Sequence, residues 1–171
     1  LSMGLVATST ILLLRVRGET SSAPTHTKLV AVTYAVMWIV VYLGTIVTGG
    51  GPHAGDAKAP RNGIDPQVMS HVHAASVYVL VALTIGLVIV LKGPVRRYAA
   101  ILLVIELSQG TIGFVQYFTD LPIALVAAHL VGAAVLVASA TRLLLAATTT
   151  ASAVARSAEQ AESSRPPLRS A

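Results

Sequence analysis

Four apolar runs, each about as long as a bilayer is thick, constrain the fold of this chain more than any other feature. A membrane-crossing helix needs roughly 20 predominantly apolar residues. The 171 residues are 54% hydrophobic and only 11% charged, whereas soluble domains carry about 25% charged residues. The four runs are 29–48, 67–91, 98–118 and 122–147. We therefore predict an all-α fold, in the form of a polytopic transmembrane four-helix bundle over residues 29–147.

The segments outside the bundle have simpler compositions. Residues 1–14 are mostly apolar and are followed by Arg15 and Arg17, so they lack the basic leading region of a signal peptide. We predict a partial transmembrane helix there, whose beginning precedes the sequence. Residues 15–28 are predicted to form a cytoplasmic loop. Residues 148–171 are rich in Thr, Ser and Ala, and we predict a disordered cytoplasmic tail.

Basic residues predict the orientation of the helices. Lys and Arg are concentrated in 15–28, 92–97 and 148–171. In the loop 49–66 two basic residues are balanced by two Asp, and the loop 119–121 has no basic residue. Because cytoplasmic loops carry the excess of Lys and Arg, this pattern predicts a multi-pass protein of the plasma membrane with its C terminus in the cytoplasm. The net charge of +5 is then explained by topology, and we predict no nucleic-acid partner.

Two histidines lie inside the apolar runs at matching depth. His73 is six residues after Gln67 and His129 is seven after Pro122, which places both roughly 10 Å from the outer ends of their helices. Histidine inside a membrane segment is a candidate functional residue. Two imidazoles on different helices suit the axial positions of a six-coordinate haem iron. The alternative is that each histidine hydrogen-bonds a neighbouring helix.

His71 competes with His73 for the ligand position. Residues two apart are about 200° apart around a helix, so the two cannot both reach one iron. The face of His71 carries small residues, and the face of His73 carries bulky apolar residues with Thr84. Helix geometry alone leaves the choice open. Near His129, Gly132 and Ala133 share its face and would let a flat macrocycle approach the backbone.

The outer loop supplies secondary candidates. His53, Lys58 and Arg61 lie where they would meet haem propionates, or they belong to an ordinary solvated loop. A zinc site is a weaker alternative, and it would need further ligands from His53, Asp56 and Asp120. In the third run Glu106 is either a proton-relay group or a protonated group hydrogen-bonded between helices. The chain has no Cys, which excludes thiolate ligands, iron–sulfur clusters and cysteine nucleophiles.

A short repeat suggests that the bundle is a duplication. Gly44-Thr45-Ile46 ends the first run and Gly110-Thr111-Ile112 lies in the third. Each is followed by an outer loop and then by a helix with an early histidine. Internal repeats of this kind are common in membrane proteins.

Several segments together resemble one known family. They are Leu-Gly-Thr-Ile-Val-Thr-Gly-Gly-Gly-Pro-His-Ala-Gly-Asp at 43–56, His-Ala at 73–74, Gln-Gly-Thr-Ile-Gly at 109–113, Val-Gln-Tyr-Phe at 115–118 and Ala-His-Leu-Val-Gly at 128–132. From about residue 29 to 147 the chain resembles the C-terminal, haem-binding half of the haem A synthase family in its actinobacterial form.

The resemblance implies a function and a set of partners. It implies an oxidoreductase that converts a methyl of haem O to the formyl of haem A for cytochrome oxidase assembly. The cofactor would be haem b, with His73 and His129 as axial ligands to its iron. Haem O would bind in an N-terminal half outside this sequence, and the partners would be haem O synthase and cytochrome oxidase assembly factors. The alternative is a non-catalytic bis-His membrane cytochrome that transfers electrons.

Overall fold

All regular elements in the described part of the chain are α-helices. A computed structural model describes residues 2–16, 26–50 and 63–163, with side chains through residue 148. The helices are α1 (Ser2–Val16), α2 (Thr27–Gly50), α3 (Pro66–Val90), α4 (Gly93–Phe118) and α5 (Ile123–Ser163). No strand occurs within these described ranges. The prediction of an all-α fold is confirmed.

Four of the helices are long enough and apolar enough to cross a membrane. They are α2, α3, α4 and the first 26 residues of α5, Ile123–Thr148. At about 1.5 Å per residue, 24 to 26 residues extend beyond the hydrocarbon core, which is roughly 30 Å thick. Large apolar side chains point outward on these helices, including Ile89 at 74% exposure and Phe118 at 75%. The chain is therefore a multi-pass membrane protein.

The four long helices form a closed ring. Helix α2 packs against α3, α3 against α4, α4 against α5, and α5 against α2. Inside the ring lie fully buried side chains from each helix, among them Met37, Leu80, Leu102 and Val137. The 15-residue helix α1 packs against α5, outside the ring. In this order α3 and α5 occupy opposite corners, and so do α2 and α4.

The start of α4 differs from the predicted boundary. The prediction began this helix at Tyr98, but α4 begins at Gly93, so Arg96 and Arg97 lie in its first two turns. The apolar run is interrupted by these charges, but charges do not end a helix. Pro94 suits the first turn, and the link from α3 shrinks to Leu91 and Lys92.

The end of α5 also differs from the prediction. The backbone of 148–163 is helical, where the sequence composition predicted disorder from residue 148. The segment is rich in Ala, the strongest helix former, and it has no Gly or Pro before Pro166. A composition too polar to build a core can therefore still extend an existing helix. Residues 164–171 lie outside the described range, as do 17–25 of the predicted loop at 15–28.

Candidate functional site

His73 and His129 lie on helices at opposite corners of the ring. His73 is seven residues after the start of α3 and His129 is six after the start of α5. The two helices run in the same direction, because each is the second member of an antiparallel pair. Their backbones are not packed against each other in the described part of the chain. The two histidines thus share a depth on helices that face each other across the bundle.

The imidazole of His73 lies against α2 at Gly44, where the missing side chain leaves a notch in the helix surface. Its Cε1 is 3.3 Å, and its Nδ1 3.7 Å, from the position that a Cβ on Gly44 would occupy. The ring also interacts with the backbone of Val40, one turn earlier on α2. The absence of a side chain at Gly44 therefore sets how closely the imidazole approaches α2.

His129 has an equivalent neighbour on α4. Its Cε1 is 3.6 Å from the position of a Cβ on Gly113. In both helix pairs, then, a histidine on the second helix lies against a glycine on the first. This symmetry agrees with the duplication that the repeat of Gly44-Thr45-Ile46 and Gly110-Thr111-Ile112 suggests. On α4, however, the contacting glycine is Gly113. Gly110 lies one turn earlier and has open space beside it.

Each histidine has one buried ring nitrogen without a hydrogen-bond partner. The Nδ1 atoms of His73 and His129 are both buried and unpartnered. The two rings are also close enough to interact electrostatically. A buried polar atom without a partner costs about 1–3 kcal/mol, and a bond to a metal would satisfy it. For His73 the Val40 backbone is also the kind of partner that orients metal-ligating imidazoles. The pair therefore fits a haem iron.

The face on which His73 lies is the core face of α3. Leu80, Thr84 and Leu87 on this face are all at most 1% exposed. Tyr78, on the face of His71, is 60% exposed. Helix geometry left the two faces equivalent, and the packing of α3 distinguishes them.

His71 itself points away from the bundle interior. Its side chain is exposed, and its ring lies 6.1 Å, centroid to centroid, from that of Tyr117. Tyr117 in turn contacts Phe118 edge to face at 5.3 Å. The structure brings His73 and His129 together and leaves His71 in an aromatic group at the rim.

Gly132 has a different neighbour from the one predicted. The side chain of Gln109 on α4 lies directly against its Cα, where any Cβ would collide. Gly132 thus lets α4 and α5 approach closely through Gln109. The predicted contact of a macrocycle with Gly132 would require Gln109 to move.

The predicted site residues of the outer loops lie mostly outside the described part of the chain. His53, Asp56, Lys58 and Arg61 lie outside the described residues. Asp120 is exposed in the link between α4 and α5. Within the described ranges no group of three or more His, Asp or Glu side chains is arranged to hold a metal ion. A zinc site would therefore depend on His53 and Asp56, whereas a haem needs only the two helical histidines.

Glu106 has a partner that the sequence did not indicate. The carboxyl group is 2% exposed and accepts a hydrogen bond of 2.8 Å at Oε1 from the Thr84 hydroxyl. Its Oε2 is buried without a partner. Thr84 lies on the core face of α3, so this pair joins α3 to α4 inside the bundle.

Gly44→Ala is expected to weaken haem binding by His73. A Cβ at 3.3 Å from Cε1 is closer than ordinary van der Waals contact, so the ring or α2 must shift by a few tenths of an ångström. We expect a loss of about tenfold in haem affinity, or about 1.4 kcal/mol, measured by haem titration of the purified protein. The repeat-related Gly110→Ala is the control, because nothing lies within 4 Å of its added Cβ. Equal affinities for the two variants would contradict the role of the notch.

The pair of histidines, the two glycine notches and the buried carboxyl are the chemically distinctive features of the bundle. Comparisons of the chain with models of protein families, with functionally characterised proteins and with solved structures gave no match.

Proposed function

We propose that this chain binds haem b, with His73 and His129 as the axial ligands. One observation carries the proposal. Two inward-facing imidazoles lie at one depth on helices at opposite corners, each with a buried nitrogen that has no hydrogen-bond partner. Because α3 and α5 do not pack against each other, a planar group between them would contact both rings.

The residues of the chain act by holding and shielding such a group. When bound, haem supplies a one-electron redox centre whose potential depends on its axial ligands and burial. Gly44 and Gly113 fix how far each imidazole stands from its neighbouring helix. Below the histidines, the buried side chains of Leu80 and Met37 exclude water from the centre of the bundle.

We further propose that the chain is the haem-binding half of a haem A synthase-type oxidoreductase. The sequence motifs at 43–56 and 109–113 support this, together with a histidine pair at the positions of the family motif. In this proposal the chain lies in the plasma membrane with its C terminus in the cytoplasm. A preceding half binds haem O, whose methyl group is oxidised to a formyl group. The partners are then haem O synthase and cytochrome oxidase assembly factors.

Complementation tests the enzymatic proposal. A bacterial strain that lacks haem A synthase would receive the full coding sequence from which this chain derives, or the chain alone. We expect the full sequence to restore haem A, measured by chromatography of extracted haems. His73→Ala in the full sequence should abolish it, and His71→Ala should retain it. Haem A formation that is unaffected by His73→Ala and His129→Ala would contradict the assigned role of the pair.

The second candidate is a bis-His membrane cytochrome without catalytic activity. The described helices carry one inward-facing histidine pair, which is sufficient for one electron-carrying haem. The same experiment separates the candidates. If the full coding sequence binds haem b but yields no haem A in the deficient strain, the cytochrome is favoured over the enzyme.

A further inference from the structure

Glu106 is the only acidic residue in the membrane-spanning parts of α2, α3, α4 and α5. It is 2% exposed. The Thr84 hydroxyl donates a hydrogen bond to its Oε1, whereas Oε2 is buried without a partner. An ionisable side chain in the membrane interior is costly and commonly functional. One oxygen of this carboxyl group is therefore available to bind a proton.

The carboxyl group lies on the inner side of the histidine pair. Glu106 is 12 residues before the end of α4, and His129 is six residues after the start of α5. These helices are antiparallel and joined at the outer end, so Glu106 is roughly 9 Å deeper than His129. Its partner Thr84 is eleven residues after His73 on α3, or roughly 17 Å deeper. The carboxyl group is thus roughly 9–17 Å below the pair.

The two helices packed against α4 carry few other ionisable groups. These are His71, His73 and Tyr78 on α3, and His129 and Arg142 on the apolar part of α5. The side chains of His71 and Tyr78 are exposed. Arg142 lies against the ring of Tyr98, eight residues before Glu106 on α4. His73 and His129 face the centre of the bundle, so a change of charge at the pair acts on Glu106 through the apolar interior.

We propose that Glu106 takes up a proton at Oε2 when the haem held by His73 and His129 gains an electron. This inference rests on the proposed function. The core of an oxidised haem has a net positive charge that compensates a carboxylate, and reduction removes that charge. Charges in an apolar interior are paired or neutralised. A one-electron donor supplies the electron and the solvent supplies the proton, so that the carboxylate becomes a carboxylic acid and the total charge of the interior is unchanged.

The expected size of the effect follows from the separation of the two groups. At roughly 9–17 Å and an effective dielectric constant of about 20, one unit of charge changes the proton affinity of a carboxylate roughly tenfold. Reduction should raise this affinity. By linkage, the midpoint potential of the haem should then fall as the pH rises.

Redox titration of the purified full chain, loaded with haem b, measures this coupling at a series of pH values. Between about pH 5 and about pH 9 we expect a total fall of about 59 mV, which is a tenfold change for a one-electron couple. Glu106→Gln keeps an acceptor for Thr84 but cannot ionise, and it should remove this fall. Asp120→Asn is the control. It removes an exposed carboxyl group from the link between α4 and α5 and should leave the fall unchanged.

Infrared difference spectra of the unaltered protein give a second readout, which does not depend on the folding of a variant. On reduction, the carbonyl band of a protonated carboxyl group should appear. Labelling glutamate with a heavier carbon isotope should lower its frequency, and the other Glu residues of the chain lie outside the membrane-spanning segments.

Two results would overturn the inference while leaving haem binding intact. One is an equal pH dependence of the potential in Glu106→Gln and in the unaltered protein. The other is a reduced, low-spin protein that shows no band from a protonated glutamate. A chain that binds no haem would overturn this inference together with the proposed function.

Discussion

His73→Ala and His129→Ala are each expected to abolish stable haem binding. Both imidazoles face the centre of the bundle, and each has a buried nitrogen without a hydrogen-bond partner, which a bond to iron would satisfy. Removing one ligand leaves an iron with one protein bond in an apolar site. We expect affinity for haem b to fall at least 100-fold, or about 2.7 kcal/mol. Titration of the purified protein, followed by the haem absorption bands, measures this.

His71→Ala is the matched control for the histidine pair. It removes an imidazole from the same helix, two residues from His73, but its ring lies against Tyr117 at the rim. Affinity for haem should stay within about twofold of the unaltered protein. If His71→Ala loses haem and His73→Ala keeps it, the iron ligand on α3 has been assigned to the wrong face.

Thr84→Val is expected to destabilise the bundle through Glu106. The Thr84 hydroxyl is the hydrogen-bond donor to Oε1 of a carboxyl group whose Oε2 already has no partner. Valine has a similar shape but no hydroxyl, so both carboxyl oxygens would be buried without a partner. Leaving a buried polar group unsatisfied costs about 1–3 kcal/mol, and we expect about 2 kcal/mol here. Reversible unfolding of the protein in mixed micelles gives the free energy of unfolding.

Thr33→Val and a double variant show whether the effect comes from the carboxyl group. Thr33 is also buried, at 2% exposure, but its hydroxyl bonds only to the carbonyl of Leu29 in its own helix. We expect less than about 1 kcal/mol for Thr33→Val. Replacing Thr84 by Val and Glu106 by Met together should cost less than Thr84→Val alone, because no polar atom is then stranded. A double variant that is less stable than Thr84→Val would contradict this explanation.

The sequence was sufficient to predict the helices that cross the membrane. Apolar length alone requires them, because a backbone in lipid must satisfy its hydrogen bonds internally. Composition did not predict where α4 begins and α5 ends, because charged or polar residues can continue a helix beyond its apolar part. Arg96 and Arg97 interrupt the apolar run but continue α4, and the polar Ala-rich segment after Thr148 continues α5. Hydrophobicity identifies the lipid-embedded length of a helix, which differs from the length of the helix itself.

The candidate site was predicted in part. Depth could be counted from helix starts, so the pairing of a histidine near the start of α3 with His129 followed from spacing. The choice between His71 and His73 did not, since it depends on the rotation of α3 against α2 and α4. That rotation also brings Thr84 to Glu106 and His73 to Gly44. Such contacts depend on which faces of two helices meet, and no spacing within one helix contains that information.

The absorption and electron paramagnetic resonance spectra of the purified chain, loaded with haem b, test the central claim most directly. Two histidine ligands predict one haem per chain with six-coordinate, low-spin iron. The low-spin signal should disappear in both His73→Ala and His129→Ala and persist in His71→Ala. A chain that binds no haem, or whose iron remains high-spin with both histidines in place, would contradict the account.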